Sequence, residues 1–314
     1  MLGRPSSSWL AEPIDVWSPD ATAGVWRVHA SGESFVLKLL EHGRGNPRWP
    51  AQPNPTDPYY WRREAEAYAS GLLARLAPPL RAPDCHACVD RGDGTIALWL
   101  EDVRLPPAAS WDLERYRKLA FHLGRAQGEI AQDPPQEEWL SRRWLRAYLG
   151  LRADDIARHG GGRTFELWRR REEVLARIEA APQTFVHLDF YPANFFGDEH
   201  EIVVIDWAYC GLGGVGEDAG NLVPDTLLDV FVRPDQADAL ERTVWDAYVD
   251  GLRASGWSFD EREVRAVYAL TAGLKFAWIP AYIQMGNRRE DEWKPVVPFL
   301  DRMAEEALEL ASSA

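Results

Sequence analysis

Alternation of apolar and polar residues dominates the first hundred positions of this 314-residue chain. A period of two predicts β-strands with one buried face, and Gly, Asp and Ser clusters between them predict tight turns. Five strands are predicted in this region: 14–18, 25–30, 34–40, 85–89 and 95–100. The turn clusters at 31–33 and 90–94 join neighbouring strands, so the pattern indicates antiparallel hairpins.

A proline-rich segment interrupts the strands and leads into a helix. Residues 43–58 contain five prolines, and such density excludes a regular helix or strand. Asp57 suits an N-cap with Pro58 at the first helical position, which predicts a helix from there to Leu76. The segment is longer than the connection requires, so it is either a lid or a tolerated surface loop.

Two charged side chains face inward in these elements. Strand alternation places Lys38 on the same face as Val36 and Leu40. Helical spacing places Glu64 on the apolar face with Trp61. Because an unpaired buried charge is costly, we expect Lys38 and Glu64 to pair. The alternatives are an exposed strand edge along which Lys38 extends to solvent and a helix edge where Glu64 has no partner.

The remaining two thirds of the chain is mostly helical in pattern. Residues 101–110 form a predicted connector, and Ser110 suits the N-cap of a helix that begins near Trp111. Helical stretches are predicted at 111–180, with breaks at 133–135 and 159–162, and at 235–254, 260–286 and 293–311. We therefore expect two domains, 1–103 and 104–314.

A predicted hairpin within the second domain brings polar side chains together. Apolar runs at 195–196 and 202–205 flank the turn cluster 197–200, which predicts a β-hairpin. The midpoint between Asn194 and Asp206 falls inside that turn, so the hairpin is expected to bring these two side chains close to each other.

The loop before this hairpin ends a short apolar run with His187-Leu-Asp189. Pro192 keeps the preceding residue extended and argues against a helix here. Oxygen ligands at Asn194 and Asp206 suit Mg²⁺, which prefers carboxylate, carbonyl, water and phosphate oxygens. Asp189 is then free to orient a hydroxyl group.

The His-x-Asp at 187–189, the Asn five positions after that Asp, and the Ile-Asp-Trp at 205–207 together form a specific pattern. In this pattern the chain resembles the aminoglycoside phosphotransferase and choline kinase family of small-molecule kinases. In the related protein kinases the same spacing carries the catalytic Asp and the two metal-binding residues. The resemblance covers almost the whole chain.

This resemblance implies an α+β, two-lobed protein kinase-like fold, with a small antiparallel β-rich N-terminal lobe and a larger, mostly helical C-terminal lobe. It implies transfer of the γ-phosphoryl group of ATP to a hydroxyl of a small molecule. Asp189 would orient and deprotonate that hydroxyl, and His187 would brace the loop. Asn194 and Asp206 would hold Mg²⁺.

The resemblance also assigns the residues that bind the nucleotide. Lys38, fixed by Glu64, would hold the α- and β-phosphates. The backbone from Glu101 to Val103 would meet the adenine, and Asp218 would support the catalytic loop. One departure is the loop at 18–24, which has a single glycine where kinases usually cover the phosphates with a glycine-rich loop.

Composition narrows the range of partners. The chain has 35 Lys and Arg against 49 Asp and Glu residues, a formal net charge of −14, which opposes binding to nucleic acid or an anionic membrane.

No apolar run is long enough to span a bilayer and the first residues lack a signal-peptide core, so we expect a cytoplasmic protein. Three cysteines argue against a disulfide scaffold, and Cys85-His-Ala-Cys88 has no second pair to complete a zinc site.

The acceptor is expected to carry a positive charge. Acidic residues follow the glycine-rich stretch at 225, 229, 235, 238 and 241, and the chain has 15 tryptophans. Indole faces beside carboxylates suit an ammonium group, so we expect Asp225 or Asp229 to lie near a cationic acceptor. Alternatively, these acids are solvated helix faces. The sequence leaves aminoglycoside, macrolide, choline-like amine, sugar, amino acid and nucleoside acceptors open.

Two other functions fit part of the pattern. A metal-dependent hydrolase could use His187, Asp189 and Asp206 as ligands, although it leaves Lys38 and Glu64 unexplained. A non-catalytic nucleotide-binding module could share the fold, although the chain retains every charged residue of the kinase pattern.

Overall fold

The computed structural model describes residues 9–15, 21–30, 32–42 and 51–312. They form two compact units. The first unit comprises the described residues up to Pro106, together with Gln136–Ser141 and Phe196–Cys210. The second comprises Pro107–Pro135, Arg142–Phe195 and the described residues from Gly211 onward. The expected domain limits, 1–103 and 104–314, remain a prediction.

The first unit is built on an antiparallel sheet. Its described residues up to Pro106 form the strands β1 Leu10–Pro13, β2 Thr22–Ala30, β3 Glu33–Glu41, β4 Leu80–Arg81, β5 Cys85–Asp90 and β6 Thr95–Glu101. Five of them hydrogen-bond in the order β1-β2-β3-β6-β5, with every pair antiparallel. The predicted antiparallel hairpins are therefore confirmed.

The first predicted strand is placed differently in the structure. Ile14 and Asp15 follow β1 and lie outside any strand, and the rest of the predicted strand 14–18 lies outside the described residues. β1 occurs earlier because Leu10 pairs with His29, and a pairing register of this kind is not visible in the local pattern. The phosphate loop expected at 18–24 is described only from residue 21 onward.

The helix of the first unit begins later than the sequence indicates. α1 is Arg63–Ser70, and Asp57 caps a turn instead, because its Oδ1 accepts a hydrogen bond from Tyr59 N at 2.8 Å. The buried Arg63 guanidinium donates to the carbonyl oxygens of Asp57 and Pro58. These bonds hold both residues outside the helix, and the described part of the proline-rich segment, 51–58, contains no helix.

The predicted end of this helix at Leu76 is also wrong. Gly71, with φ 76°, ends α1 in a left-handed conformation, and Leu72–Arg75 is a separate 3₁₀ turn. The inward position of Glu64 is confirmed, since Glu64 is buried within α1.

Four short strands flank the predicted polar loop and hairpin: β7 Gln183–Val186, β8 Phe195–Gly197, β9 Ile202–Val204 and β10 Gly211–Gly214. β8 and β9 are neighbours in a three-stranded sheet with β4, so the predicted hairpin is confirmed. The Asp198 carboxylate closes its turn by accepting a hydrogen bond from His200 N at 2.7 Å. β10 pairs with β7, which returns the chain beside the strand that leads into His187.

The second unit is mostly helical. Its α-helices are α2 Leu113–Ala131, α3 Trp144–Gly150, α4 Ala153–His159, α5 Gly162–Arg169, α6 Arg171–Ala180, α7 Glu217–Leu228, α8 Ala237–Ala254, α9 Glu261–Leu274, α10 Trp278–Gln284, α11 Glu290–Trp293 and α12 Val297–Ser312. The predicted helix at 260–286 is two helices, because Pro280 has no N–H to continue α9 and is tolerated only in the first turn of α10. The predicted helix at 293–311 is mainly α12, which follows a 3₁₀ turn at Lys294–Val296.

Asp112, and not Ser110, caps the first helix of this unit. Asp112 Oδ1 accepts a hydrogen bond from Arg115 N at 3.0 Å, whereas Ser110 lies in a 3₁₀ turn, Ala108–Ser110. The predicted cap is wrong because Ser and Asp are both good N-caps and the local sequence does not distinguish them.

Helices α2 and α8 approach each other closely at two glycines. A Cβ at Gly124 would overlap the carbonyl oxygen of Tyr248, and a Cβ at Gly251 would overlap that of Phe121. Because backbone cannot move aside as a side chain can, Gly124→Ala should lower the free energy of unfolding by about 1–3 kcal/mol. Gly150→Ala, where a Cβ meets nothing within 4 Å, is the matched control. Denaturant unfolding measures both, and equal stabilities would contradict the close approach.

One stretch, Glu261–Gln284, is long and apolar enough to cross a membrane by length and composition alone. It corresponds to α9 and α10, and 83% of its most apolar window is buried in the structure. The core helix of a globular protein gives the same result. Among the described residues, no second helix meets these criteria.

Candidate active site

Lys38 lies at the centre of a buried ion-pair cluster in the first unit. Its Nζ is 2.6 Å from Glu64 Oε2 and 2.8 Å from Asp206 Oδ1. The Lys38 and Glu64 side chains are 9% and 2% exposed, whereas the Asp206 side chain is 44% exposed. The expected contact between Lys38 and Glu64 is therefore present, and Asp206 joins it.

Strand register and the hairpin bring these three side chains together. Lys38 lies opposite Val25 on β2 and opposite Leu98 on β6, so it occupies the middle of the sheet. α1 supplies Glu64 from the face towards which the Lys38 side chain points. Asp206 follows β9 with φ 63°, a left-handed conformation that is uncommon outside glycine and often marks functional sites.

Charge pairing controls protonation within this cluster. Burial lowers the pKa of Lys38, but the Asp206 and Glu64 carboxylates outweigh that effect and raise its pKa overall. Burial raises the pKa of Glu64, and the Lys38 ammonium opposes that rise. The cluster therefore keeps the Lys38 ammonium charged, with Glu64 and Asp206 on either side of it.

The cluster borders a cavity of about 230 Å³ in the first unit. Its wall is largely apolar and includes Val25, Val36, Leu100, Phe196 and Ile205. Glu101 and Val103 line it as well, but the Glu101 carboxylate is paired with Arg81 at 2.6 Å. An apolar slot with a charged end suits a flat heterocycle joined to phosphates.

The second unit carries the predicted catalytic loop. His187 is buried, and its Nδ1 accepts a hydrogen bond from Asp189 N at 3.3 Å. Asn194 Nδ2 donates to Asp189 O at 3.0 Å and lies 3.4 Å from Asp189 Oδ2. These contacts fit a bracing role for His187, and they leave Oδ1 as the Asn194 atom that can bind a cation.

Asp218 anchors the same loop. Its Oδ2 accepts a hydrogen bond from His187 N at 2.8 Å, and its Oδ1 accepts one from Leu188 N at 2.9 Å. Leu188 has φ 68°, a left-handed conformation that persists for a residue with a Cβ only when its surroundings fix it. The two hydrogen bonds to Asp218 supply that constraint.

Behind Asp218, a buried chain of side chains connects two helices. Gln127 Nε2 donates to Asp218 Oδ2 at 2.9 Å, and Tyr248 Oη donates to Gln127 Oε1 at 2.7 Å. Gln127 belongs to α2 and Tyr248 to α8, the two helices that approach at glycines. Burial raises the pKa of Asp218, and the electrostatic effect of His187 and two backbone donors oppose that rise.

Asp218→Asn should misplace the catalytic loop. An amide nitrogen cannot accept a hydrogen bond, so the variant would lose one of the two bonds to backbone N–H groups, at a cost of about 1.5–3 kcal/mol. We expect thermal stability and catalytic turnover to fall together. Asp238→Asn is the control, because that carboxylate pairs with Arg302 on the surface. Equal stability and turnover in the two variants would contradict the anchoring role.

The two acids predicted near an acceptor already have cationic partners. Asp229 pairs with Arg289 at 2.7 Å, and Asp225 Oδ2 lies 3.6 Å from Lys275 Nζ. Burial raises the pKa of Asp225 to about 7, against the effect of Lys275 and with a further contribution from the charge of Asp189. The charge of Asp189 is thus one of the causes of the raised pKa of Asp225.

Cations of the chain itself cover some of the tryptophan faces. Lys275 Nζ lies 5.2 Å from the ring centre of Trp144, and the Arg289 guanidinium lies 5.3 Å from that of Trp293. Cation–π attraction within the chain therefore accounts for part of its tryptophan content without any ligand.

Four polar residues near the site were not identified from the sequence: Gln127, Asn221, Tyr248 and Lys275. All four are buried. Lys275 follows an apolar run, much as Lys38 does, and the cost of burying an unpaired ammonium could have singled it out. The others give no local signal, because their partners lie 31 to 121 residues away along the chain.

Within 9–15, 21–30, 32–42 and 51–312, no group of three or more His, Cys, Asp and Glu side chains is arranged to hold a metal ion. The metal-dependent hydrolase alternative required such a group from His187, Asp189 and Asp206. The cysteines at 85, 88 and 210 are free thiols.

An antiparallel β-rich unit with a buried Lys and Glu pair, followed by a helical unit with a His-x-Asp loop, defines the protein kinase-like class of α+β folds. Residues 18–266, which are most of the chain, match the phosphotransferase enzyme family APH. The chain belongs to this family. The resemblance and the fold class inferred from the sequence are both confirmed.

Solved enzymes of low sequence identity share this fold. An amicoumacin kinase in complex with AMP-PNP, Ca²⁺ and Ami aligns with a TM-score of 0.62 at 14% identity, over 94% of this chain and 88% of that one. Choline kinase from Cryptosporidium parvum Iowa II aligns with a TM-score of 0.60 at 11% identity, over 99% and 92%. A spectinomycin phosphotransferase in complex with ADP and spectinomycin gives 0.52 at 12% identity, over 96% and 92%.

A shorter match is found to a methylthioribose kinase of Bacillus velezensis, which is 33% identical over 82 residues. The matched region is 25% of this chain and spans only 21% of that enzyme. It therefore supports membership of the class of small-molecule kinases and leaves the acceptor open.

Proposed function

We propose that this chain transfers the γ-phosphoryl group of ATP to a hydroxyl group of a small molecule. The observation that carries the proposal is the Lys38 cluster beside the apolar cavity, where a fixed ammonium lies between two carboxylates. A nucleotide would place its base against the apolar wall and the backbone at 101–103, with its phosphates near Lys38.

Asp189 is the proposed base. It would orient the acceptor hydroxyl and accept its proton as the phosphoryl group is transferred. Its amide is held by His187 Nδ1 and its carbonyl by Asn194 Nδ2. Because the backbone is fixed on both sides, the carboxylate is held in a narrow range of positions, as efficient positioning requires.

Asn194 and Asp206 are the proposed ligands of Mg²⁺. They offer one amide oxygen and one carboxylate, a hard oxygen set of the kind that Mg²⁺ prefers, and phosphate and water oxygens would complete it. Asn194 Nδ2 is engaged by Asp189, so its Oδ1 is left for a cation. Mg²⁺ bound there would neutralise negative charge on the transferred phosphoryl group.

Complexes of related folds support a nucleotide and a divalent cation as ligands. The amicoumacin kinase binds AMP-PNP and Ca²⁺, and the spectinomycin phosphotransferase binds ADP. The non-catalytic alternative uses the same cavity but has no need of Asp189, so the two functions differ in turnover.

A transfer assay tests the proposal. ATP, Mg²⁺ and the purified protein should form ADP in the presence of a suitable hydroxyl compound, and mass spectrometry should find that compound heavier by one phosphate. The panel should include aminoglycosides, amino alcohols, sugars, nucleosides and methylthioribose. ATP binding without transfer to any compound would favour the non-catalytic module, and failure to bind ATP would reject the nucleotide site itself.

We further propose that the acceptor is cationic, with Asp225 as its main attraction. Raising the salt concentration should raise the KM of a cationic acceptor, because salt screens attraction between exposed charges. Asp225→Ala should raise this KM more than Asp229→Ala, since Asp229 is engaged by Arg289 and the charge of Asp189 acts on Asp225. A neutral or anionic best acceptor, or an unchanged KM in both variants, would contradict the charge of the acceptor.

A further inference from the structure

Lys275 is a buried cation to which the proposed reaction assigns no role. It directly follows α9, and its side chain is 5% exposed. Its Nζ donates a hydrogen bond to Asn221 Oδ1 and lies 3.6 Å from Asp225 Oδ2. The ring centres of Trp144 and Tyr148 lie 5.2 and 5.5 Å from Nζ. Two oxygen atoms and two aromatic faces thus stabilise an ammonium that would otherwise be costly to bury.

Both oxygen partners of Lys275 connect to the catalytic loop. Asn221 Nδ2 donates a hydrogen bond at 3.0 Å to the carbonyl oxygen of Phe190, the residue directly after Asp189. Asp225 lies one turn further along α7 and is influenced by the charge of Asp189. The Lys275 ammonium therefore links the end of α9 to two groups beside the proposed base.

We propose that Lys275 is a positioning residue for the acceptor side of the site, and that its ammonium supplies the counter-charge that keeps Asp225 a carboxylate beside Asp189. This inference rests on the proposed phosphotransfer. An ionised Asp225 accepts hydrogen bonds from an O–H or N–H of the acceptor, whereas its protonated form carries a donor proton of its own. The acceptor is then an amino alcohol, whose ammonium N–H is a hydrogen-bond donor next to the reacting hydroxyl.

Four charged or titratable groups influence or face Asp225 from the surrounding elements: Asp189 in the catalytic loop, Asp229 after α7, Lys275 after α9 and Tyr148 on α3. Burial raises the pKa of Asp225, and so do Asp189 and Asp229, whereas Lys275 and Asn221 lower it. The resulting pKa of Asp225 is about 7. Without the Lys275 ammonium, a main opposing influence on this rise would be lost. The pKa of Asp225 would then exceed 7, and less of the carboxylate would be ionised at neutral pH.

The test compares Lys275→Met and Lys275→Arg with a matched control, Arg265→Met. Arg265 is also a partly buried cation of α9, paired with Glu241 and Glu306 and lying 4.7 Å from the ring centre of Trp245. For each protein, kcat/KM for the best acceptor of the panel is measured as a function of pH around neutrality, together with thermal unfolding.

In the wild type, kcat/KM should fall as the pH drops below about 7, where Asp225 becomes protonated. This fall is the acidic limb of the pH profile, and Lys275→Met should move it to higher pH. At a pH below the limb, kcat/KM of the variant should be about tenfold lower than that of the wild type for each pH unit of the shift. Lys275→Arg should keep the limb in place. Arg265→Met should lower thermal stability and leave the limb unchanged.

An unchanged limb in Lys275→Met, with only a loss of thermal stability, would overturn the inference and make Lys275 a purely structural residue. If the wild type transfers phosphate to no compound, the proposed function fails instead. Carbon NMR titration of the aspartate carboxyls separates the two failures, because it needs no substrate. The Asp225 signal, identified by its loss in Asp225→Asn, should titrate at higher pH in Lys275→Met, and an unshifted titration would also overturn the inference.

Asp225→Asn provides a second test if Lys275→Met does not fold. Its amide has the size of the carboxyl group and no charge that needs the ammonium, so the acidic limb should disappear in this variant. Lys275→Met added to Asp225→Asn should then have little further effect on kcat/KM, because both changes remove the same carboxylate. Persistence of the limb in Asp225→Asn, or additive losses in the double variant, would overturn the inference.

Discussion

Asp189→Asn should lower turnover by about 10²- to 10⁴-fold and leave the affinity for ATP nearly unchanged. The amide has the size of the carboxylate but cannot accept the hydroxyl proton. It would also bring an amide group against Asn194, whose Nδ2 lies 3.4 Å from Asp189 Oδ2. Steady-state kinetics and a separate nucleotide titration measure the two effects independently.

Asp246→Asn is the control for this change, because Asp246 is an exposed acid of α8. It should retain full turnover. Full activity in Asp189→Asn would remove Asp189 from the chemistry. A loss of ATP affinity as large as the loss of turnover would show that the variant damages the nucleotide site and not the transfer step alone.

Lys38→Ala should lower the free energy of unfolding by about 3–5 kcal/mol, because it leaves the buried Glu64 carboxylate without a counter-charge. Asp206 is more exposed and can be solvated by water, so most of the cost falls on Glu64. The loss of unfolding free energy should become smaller as the pH falls toward the ordinary pKa of a glutamate, since protonation of Glu64 removes the unpaired charge. Nucleotide binding should be lost at the same time, and denaturant unfolding and nucleotide titration measure both effects.

A double change separates stability from binding. Lys38→Met combined with Glu64→Gln removes both charges at similar volume, so it should recover most of the stability while nucleotide binding stays lost. Lys294→Ala, which removes an exposed partner of Glu290, should change stability little. A Lys38→Ala protein as stable as the wild type would contradict the burial of the pair.

The strands and the inward ion pair could be predicted because their signals are local. A period of two in β3 is enough to place Lys38 on the inner face, and a period of 3.6 in α1 is enough to place Glu64 there. The two side chains then meet, and Asp206 joins them. The hairpin likewise follows from turn residues at 197–200 between two apolar runs.

The ends of the helices could not be predicted in the same way. α1 begins at Arg63 because the Arg63 guanidinium binds the carbonyl oxygens of Asp57 and Pro58. By local propensity alone, Asp57 followed by a proline is a good helix start. Contacts of a buried side chain outweigh propensities that are worth a few tenths of a kcal/mol to about 1 kcal/mol.

Local sequence is sufficient to identify the family of this protein, because the His-x-Asp spacing, the Asn that follows and the alternation around Lys38 all fall within short segments. The predicted approach of Asn194 to Asp206 remains a prediction. Packing of distant segments supplies the rest. Asp218 is joined to Gln127 across 91 positions, and Lys275 to Asn221 across 54. Such pairs depend on how helices pack, and periodicity or turn chemistry contains no information about which buried polar group will meet which partner.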